Sequence, residues 1–231
     1  MRYLVPLFLL LPLCSAPAAV VADLNADFSL LSNPTPTGWT YREGLGLMSL
    51  TGLSSWTFPG EVGWGGNFPN VAFKAAGDPG PGFDWAPGDV VVHTSETIGL
   101  TAALNFLWTS PVAGVFDISG NVWNGRNIGR GTLYTLFVNG SAVLSGHIVS
   151  GDGTTRANPE AFLAPVIPLS VGDTVQLSLH KDPFVIPNGD FVGVNLRIQD
   201  ASPLVPEPGS VLLVGGGLLV AGLLRRRAAH L

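Results

Sequence analysis

The stretch Val115-Phe116-Asp117-Ile118-Ser119-Gly120-Asn121-Val122-Trp123 decides the fold. Phe116, Ile118 and Val122 alternate with Asp117, Ser119 and Asn121, and a period of two marks a β-strand with one buried and one wet face. By the same parity Trp123 belongs with the polar set. Downstream, Leu133–Val138 and Ala142–Val149 flank Asn139-Gly140, a pair that readily takes the positive φ angles of a tight hairpin. Ser170-Val171-Gly172-Asp173 turns into Thr174–His180, where Val175, Leu177 and Leu179 share a face. Val192, Val194, Leu196 and Ile198 then alternate with Gly193, Asn195 and Arg197. Upstream, Asp89–His93 and Leu100–Trp108 read as strands, while the glycine-, proline- and aromatic-rich region 44–87 predicts only short strands such as Leu47–Thr51 and Val71–Lys74. Evenly spaced antiparallel strands with glycine turns predict an all-β antiparallel sandwich. No helix longer than a turn or two is expected between the chain ends.

Composition agrees. The 231 residues include 30 glycines and 19 prolines, and only 12% are charged, which suits turn-rich β structure. From Asp23 to Val205 there are seven Lys/Arg against fifteen Asp/Glu. That acidic balance argues against nucleic acid or anionic lipid as partner. The single cysteine, Cys14, lies in the N-terminal apolar segment. The domain beyond it therefore has neither a disulfide nor thiol chemistry.

Both ends read as sorting signals. Met1–Ala22 has Arg2, an apolar core and then small residues, the make-up of a secretory signal peptide. Val20-Val21-Ala22 suits cleavage before Asp23, and Ala16-Pro17-Ala18 offers a second site. Acylation at Cys14 is disfavoured by the bulky Leu13 before it. At the other end, Pro206-Glu207-Pro208-Gly209 precedes an uncharged apolar run, Ser210–Leu224, and then Arg225, Arg226 and Arg227. As a helix that run spans about 22 Å, short of a hydrocarbon core of about 30 Å. Gly215, Gly216 and Gly217 weaken it further. The arginines place its C-terminal end on the cytoplasmic side. The prolines hold Glu207 in an extended segment, the conformation a peptidase takes up.

This tail, from Val205 to Arg227, resembles the PEP-CTERM sorting signal. The resemblance implies recognition by an exosortase at Pro206, Glu207 and Pro208, transient residence in the inner membrane with the arginines as cytoplasmic stop, and delivery to the cell surface or its exopolysaccharide. The expected organisation is a signal peptide (1–22), a β-sandwich (23–203) and a sorting signal (204–231) whose transmembrane segment is 210–224. A second resemblance rests on Asp27-Phe28-Ser29, Asn33-Pro34, Gly38-Trp39-Thr40-Tyr41, the strand ending in Trp108-Thr109-Ser110-Pro111, and Gly114-Val115-Phe116-Asp117-Ile118-Ser119-Gly120. Val138-Asn139-Gly140 and Val171-Gly172-Asp173 extend it. This order is similar to jelly-roll, galactose-binding-like modules, a resemblance at the level of fold.

Between the signals, no nucleophile elbow, zinc-helix, Cys/His or phosphate-loop motif occurs. His93, His147 and His180 have no partner spacing, and Glu43, Glu61, Glu96 and Glu160 lie scattered in sequence. No catalytic residue, metal or cofactor is expected. Asp23-Leu24-Asn25-Ala26-Asp27 alternates oxygen ligands, but Phe28 stands where a calcium loop needs glycine, and the late glutamate is missing. A solvated N-terminal arm is the expectation there. Carbohydrate recognition needs an aromatic platform with amides and charges nearby. Trp123, followed by Asn124, Arg126 and Asn127, is the leading candidate site, with Trp64 and Trp85 behind it and Trp39 and Trp108 assigned to the core. A non-catalytic surface- or exopolysaccharide-associated protein that binds carbohydrate is expected. A purely structural matrix component and an extracellular hydrolase are the alternatives.

Overall fold

The computed structural model describes residues 18–52, 62–66, 70–77, 79–184 and 188–201. The chain runs β1 (Val20–Asp23), α1 (Leu24–Asp27), β2 (Trp39–Glu43), β3 (Gly46–Leu47), β4 (Ser49–Gly52), β5 (Val62–Gly65), β6 (Val71–Lys74) and β7 (Val90–His93). It continues through β8 (Leu104–Thr109), β9 (Gly114–Asn124), β10 (Gly131–Val138), β11 (Ser141–Val149), β12 (Glu160–Leu169), β13 (Thr174–Lys181) and β14 (Phe191–Asp200). One antiparallel sheet has the order β12-β9-β14-β7-β6-β5-β4, with β1 also on β14, and the other has the order β11-β10-β13-β8-β2-β3. The all-β expectation holds, and α1 is a single turn.

The alternation of β9 works as read. Phe116, Ile118 and Val122 are buried and meet Val192, Val194, Leu196 and Ile198 of β14 in one core cluster. Across the sandwich, Trp39, Tyr41, Phe106, Trp108, Leu136, Val175, Leu177 and Leu179 of the second sheet fill the same core. Asn139 and Gly140 take φ angles of 49° and 76° in the β10–β11 hairpin, the left-handed conformation that Asn-Gly tolerates. Asn33 pins the Asn33-Pro34 segment to the core strands, donating to Tyr41 O at 2.7 Å and Met48 O at 3.0 Å and accepting from Tyr41 N–H at 2.9 Å.

Three segments differ from expectation. Leu100–Ala102 is a 3₁₀ turn rather than the start of β8. Leu47–Thr51 divides at the buried Met48, with β3 pairing β2 in one sheet and β4 pairing β5 in the other. Strand β12 was not expected at all. It carries Pro165 and Pro168 and a bulge between Ala164 and Ile167, features that a strand tolerates at a sheet edge, where missing N–H groups are not needed. Val166, at φ 57°, fills that bulge and donates its N–H to the Asp117 carboxylate at 2.9 Å.

The N-terminal arm is not solvated. Leu24 is fully buried, and Asp23 caps α1 by accepting from the N–H groups of Asn25 and Ala26. Asp27 Oδ2 accepts from Asp23 N–H at 3.0 Å and Trp39 Nε1 at 3.1 Å, and Asp23 Oδ2 pairs with Arg197 at 2.7 Å. These carboxylates are engaged in holding the arm down. No cluster able to hold a metal ion occurs among the described residues. Strand β1 starts at Val20, ahead of the expected domain start at Asp23. The sorting motif, the apolar run 210–224, Arg225–Arg227 and residues 1–17 lie outside the described residues. No described helix is long and apolar enough to cross a membrane.

Candidate ligand cleft

Trp123 sits on the outer face of its sheet, as parity requires, yet only 2% of it is exposed. The segment between β6 and β7 covers it. That segment crosses the outer face, and Asp84 receives the Trp123 Nε1–H on its carbonyl oxygen at 2.7 Å. Asp84 N–H in turn donates to Gly125 O at 2.8 Å. Directly across the ladder is Gly193, where any Cβ would overlap the indole ring. The glycine lets the indole lie flat on β14. Beside it, Val71, Phe73, Ala75, Trp85, Val91 and Phe191 form a second buried cluster with Phe83 against it. Trp85 meets Phe191 at 5.4 Å and Phe73 at 6.0 Å between ring centroids.

The reading of Trp123 as a sugar-stacking platform is therefore corrected: its faces are used in packing. Trp64 and Trp85 are buried as well, and Trp39 and Trp108 lie in the core as expected. Among the described residues no tryptophan offers a free face.

The polar residues after Trp123 fare differently. Asn124 and Asn127 line a cleft of about 540 Å³ together with Gly82, Phe83, Asp84, Gly151, Gly153, Thr154 and Thr155. Arg126 does not line it. Its guanidinium lies over the Phe83 ring, 4.8 Å from the centroid, a cation–π contact that occupies one aromatic face. Asn124 is 5% exposed, and its Oδ1 has no hydrogen-bond partner among the described residues. A buried amide with unmet hydrogen-bonding capacity costs about 1–3 kcal/mol.

Two walls frame the cleft, and Arg156 joins them. Its side chain grips Asp89 at 2.6 and 3.3 Å, while its backbone N–H donates to Asp84 Oδ2 at 2.7 Å. Asp152 shapes the second wall, accepting from Val149 N–H at 2.6 Å and Thr154 N–H at 2.7 Å. Desolvation raises the Asp152 pKa, but the bonds from Thr154 and Val149 and the charge of His147 outweigh it and hold the carboxyl below its usual range. Gly151 and Gly153, at φ 89° and 88°, permit this tight loop.

Asp190 lies near the Arg126–Arg130 loop, fully buried, with Oδ2 unpartnered among the described residues. Burial pushes its carboxyl up to about 7, against the opposing pull of the Phe191 N–H and the Arg130 and Arg126 charges. Arg130 donates to Gly189 O at 2.6 Å, tying that loop to the approach to β14. His93 packs on Phe191 at 4.7 Å, and His147 pairs with the buried Asp182 at 2.6 Å.

The sequence reading missed Phe83, Asp84, Thr154 and Thr155 as cleft residues. Its only available signal for the last two was the polar turn Gly151-Asp152-Gly153-Thr154-Thr155.

No protein-family model matches the chain, and no curated protein sequence matches it. Among solved structures, a family 35 carbohydrate-binding module from Clostridium thermocellum aligns over 56% of this chain and 88% of its own length, at 17% identity and TM-score 0.32. The CBM36-1 domain of a xylanase from the hindgut metagenome of Trinervitermes trinervoides aligns over 72% and 99%, at 9% identity and TM-score 0.35. A Podospora anserina GH26-CBM35 β-(1,4)-mannanase aligns at 16% identity and TM-score 0.35 over 73% of this chain, which spans 29% of that enzyme. Similarity of this size transfers no residue roles.

Proposed function

We propose that the chain is an exported, non-catalytic surface protein whose sandwich binds carbohydrate in the cleft between the two loop walls. Asn124 carries this reading: a nine-tenths-buried amide with unmet hydrogen-bonding capacity borders a cleft lined by Asn127, Asp84, Thr154 and Thr155. Amides, hydroxyls and a carboxylate suit the donor and acceptor pattern of neutral sugar hydroxyls. The order of strands, alternating between sheets from β7 to β10, supports reading the sandwich as a jelly roll.

Export is motivated by the N-terminal segment. Exosortase processing, with the inner membrane as a transient station and the surface or exopolysaccharide as destination, is motivated by Pro206-Glu207-Pro208 ahead of an apolar run and three arginines. Intact mass of the protein from its native cell surface tests this: loss of Ser210–Leu231 is expected, and an intact C-terminus contradicts it. Glu207→Ala is expected to leave the precursor in the inner membrane. A glycan array that includes the host's own polymer tests the binding. Retention that is lost in Asn124→Ala with unchanged thermal unfolding supports it, whereas no binding to any glycan favours a structural matrix component. Released sugar would point to the hydrolase alternative.

A further inference from the structure

We infer that the leader is removed after Ala18, so that the mature domain begins at Ala19 and not at Asp23. This rests on the export reading above. The sequence offers two bonds with small residues before them: Ala18–Ala19, with Ala16 and Ala18 in an Ala-x-Ala arrangement, and Ala22–Asp23, with Val20 and Ala22. A peptidase meets both in an extended, unfolded chain, so access does not separate them. The folded product does.

Residues 19–22 belong to the sandwich. Strand β1 lies antiparallel on β14, with Val20 opposite Gln199, Ala22 opposite Ile198 and Asp23 opposite Arg197. Asp200 N–H donates to Ala19 O at 2.9 Å. Ala22, 2% exposed, is part of the main core, and Val21 packs against that core. On this side of β14, β7 covers only Phe191–Val194; the rest of the edge, from Arg197 to Gln199, is covered by β1.

A cut at Ala22–Asp23 would strip Val20 to Ala22 from β14 and leave only Asp23 opposite Arg197, with ladder groups unpaired and a gap where Ala22 packs. A cut at Ala18–Ala19 leaves all of this intact, because Ala18 and Ala19 are both exposed. The hydrolysis consumes one water, leaving a carboxylate on Ala18 of the leader and an ammonium on Ala19 of the domain.

The test is N-terminal sequencing of the mature protein after expression of the full chain in a bacterium with an intact export pathway. The expected start is Ala19-Val20-Val21-Ala22. A start at Asp23 overturns the inference while leaving export standing; an uncleaved Met1 overturns the export reading and the inference with it. Two variants of the full chain sharpen the result. Ala18→Leu is expected to abolish the mature species. Val20→Gln alters the rival bond at a residue 49% exposed and is expected to leave processing unchanged. The reverse pattern overturns the inference.

Discussion

The two faces of the eight-stranded sheet bury aromatic side chains by different means. The inner face packs against a second sheet, and its residues follow the simple alternation of β9, β14 and their neighbours. The outer face carries Phe73, Val91, Phe191 and Trp123, covered by a single irregular segment between β6 and β7 that sets Phe83 and Trp85 on them. A core between two sheets is supported by many strands at once. A cluster under one loop depends on that loop staying down, and here the same loop forms one wall of the cleft. The outer cluster thus links stability to the cleft, whereas the inner core holds up the sandwich alone.

The largest expected effect breaks the inner core. Trp108→Ala is expected to destabilise the whole domain by about 4 kcal/mol, seen as a lower denaturant midpoint for every probe together.

The pH dependence of Asp190 comes next, beside the outer cluster. In the unfolded chain its carboxyl releases the proton near 3.8, while the folded site keeps it up to about 7. The folded state therefore binds the extra proton across that window. Stability should fall as pH rises from about 4 to about 7 by an amount on the order of 4 kcal/mol, and this contribution should level off above. Asp190→Asn is expected to remove that slope in unfolding curves taken across the range.

Gly193→Ala separates the two regions more sharply. The added methyl displaces the Trp123 indole from β14, at a cost of about 2 kcal/mol typical of overpacking. Hydrogen exchange should quicken around residues 82–85 and 123–125 while β13 stays protected. Equal acceleration of both would erase the distinction drawn between the clusters.

The smallest effect is Arg156→Gln. It removes a partly exposed ion pair with Asp89, expected to lower stability by about 1 kcal/mol or less, yet it leaves only the backbone N–H bond to Asp84 holding the two walls and should weaken glycan binding by more than that loss of stability accounts for.

These regions also differ in how legibly the sequence records them. Phe116, Ile118 and Val122 announce the inner face because burial between sheets repeats every second residue. Asn139-Gly140 announces its hairpin because few residue pairs tolerate two positive φ angles. Strand β12 escaped because Pro165 and Pro168 suit only an edge, and edge position is a property of the whole sheet. Strand β1 escaped because Val20–Ala22 also reads as the end of a leader. At the site, Asn124 and Asn127 were legible as a polar loop after a strand. Asp84 and Thr154 were not, since long-range folding brings them there. Trp123 was placed on the correct face, but parity names a face without saying what covers it.

The central claim is that Asn124 serves the ligand and Trp123 serves the fold, although they are neighbours in one strand. It is tested by titrating one glycan identified on the array against Asn124→Ala and Trp123→Phe, with thermal unfolding followed on the same samples. The account predicts that Asn124→Ala weakens binding at least about tenfold, about 1.4 kcal/mol, without lowering the melting temperature. Trp123→Phe should lower the melting temperature and leave the affinity of the folded protein unchanged. Binding lost in Trp123→Phe at unchanged stability, with Asn124→Ala still binding normally, would contradict it.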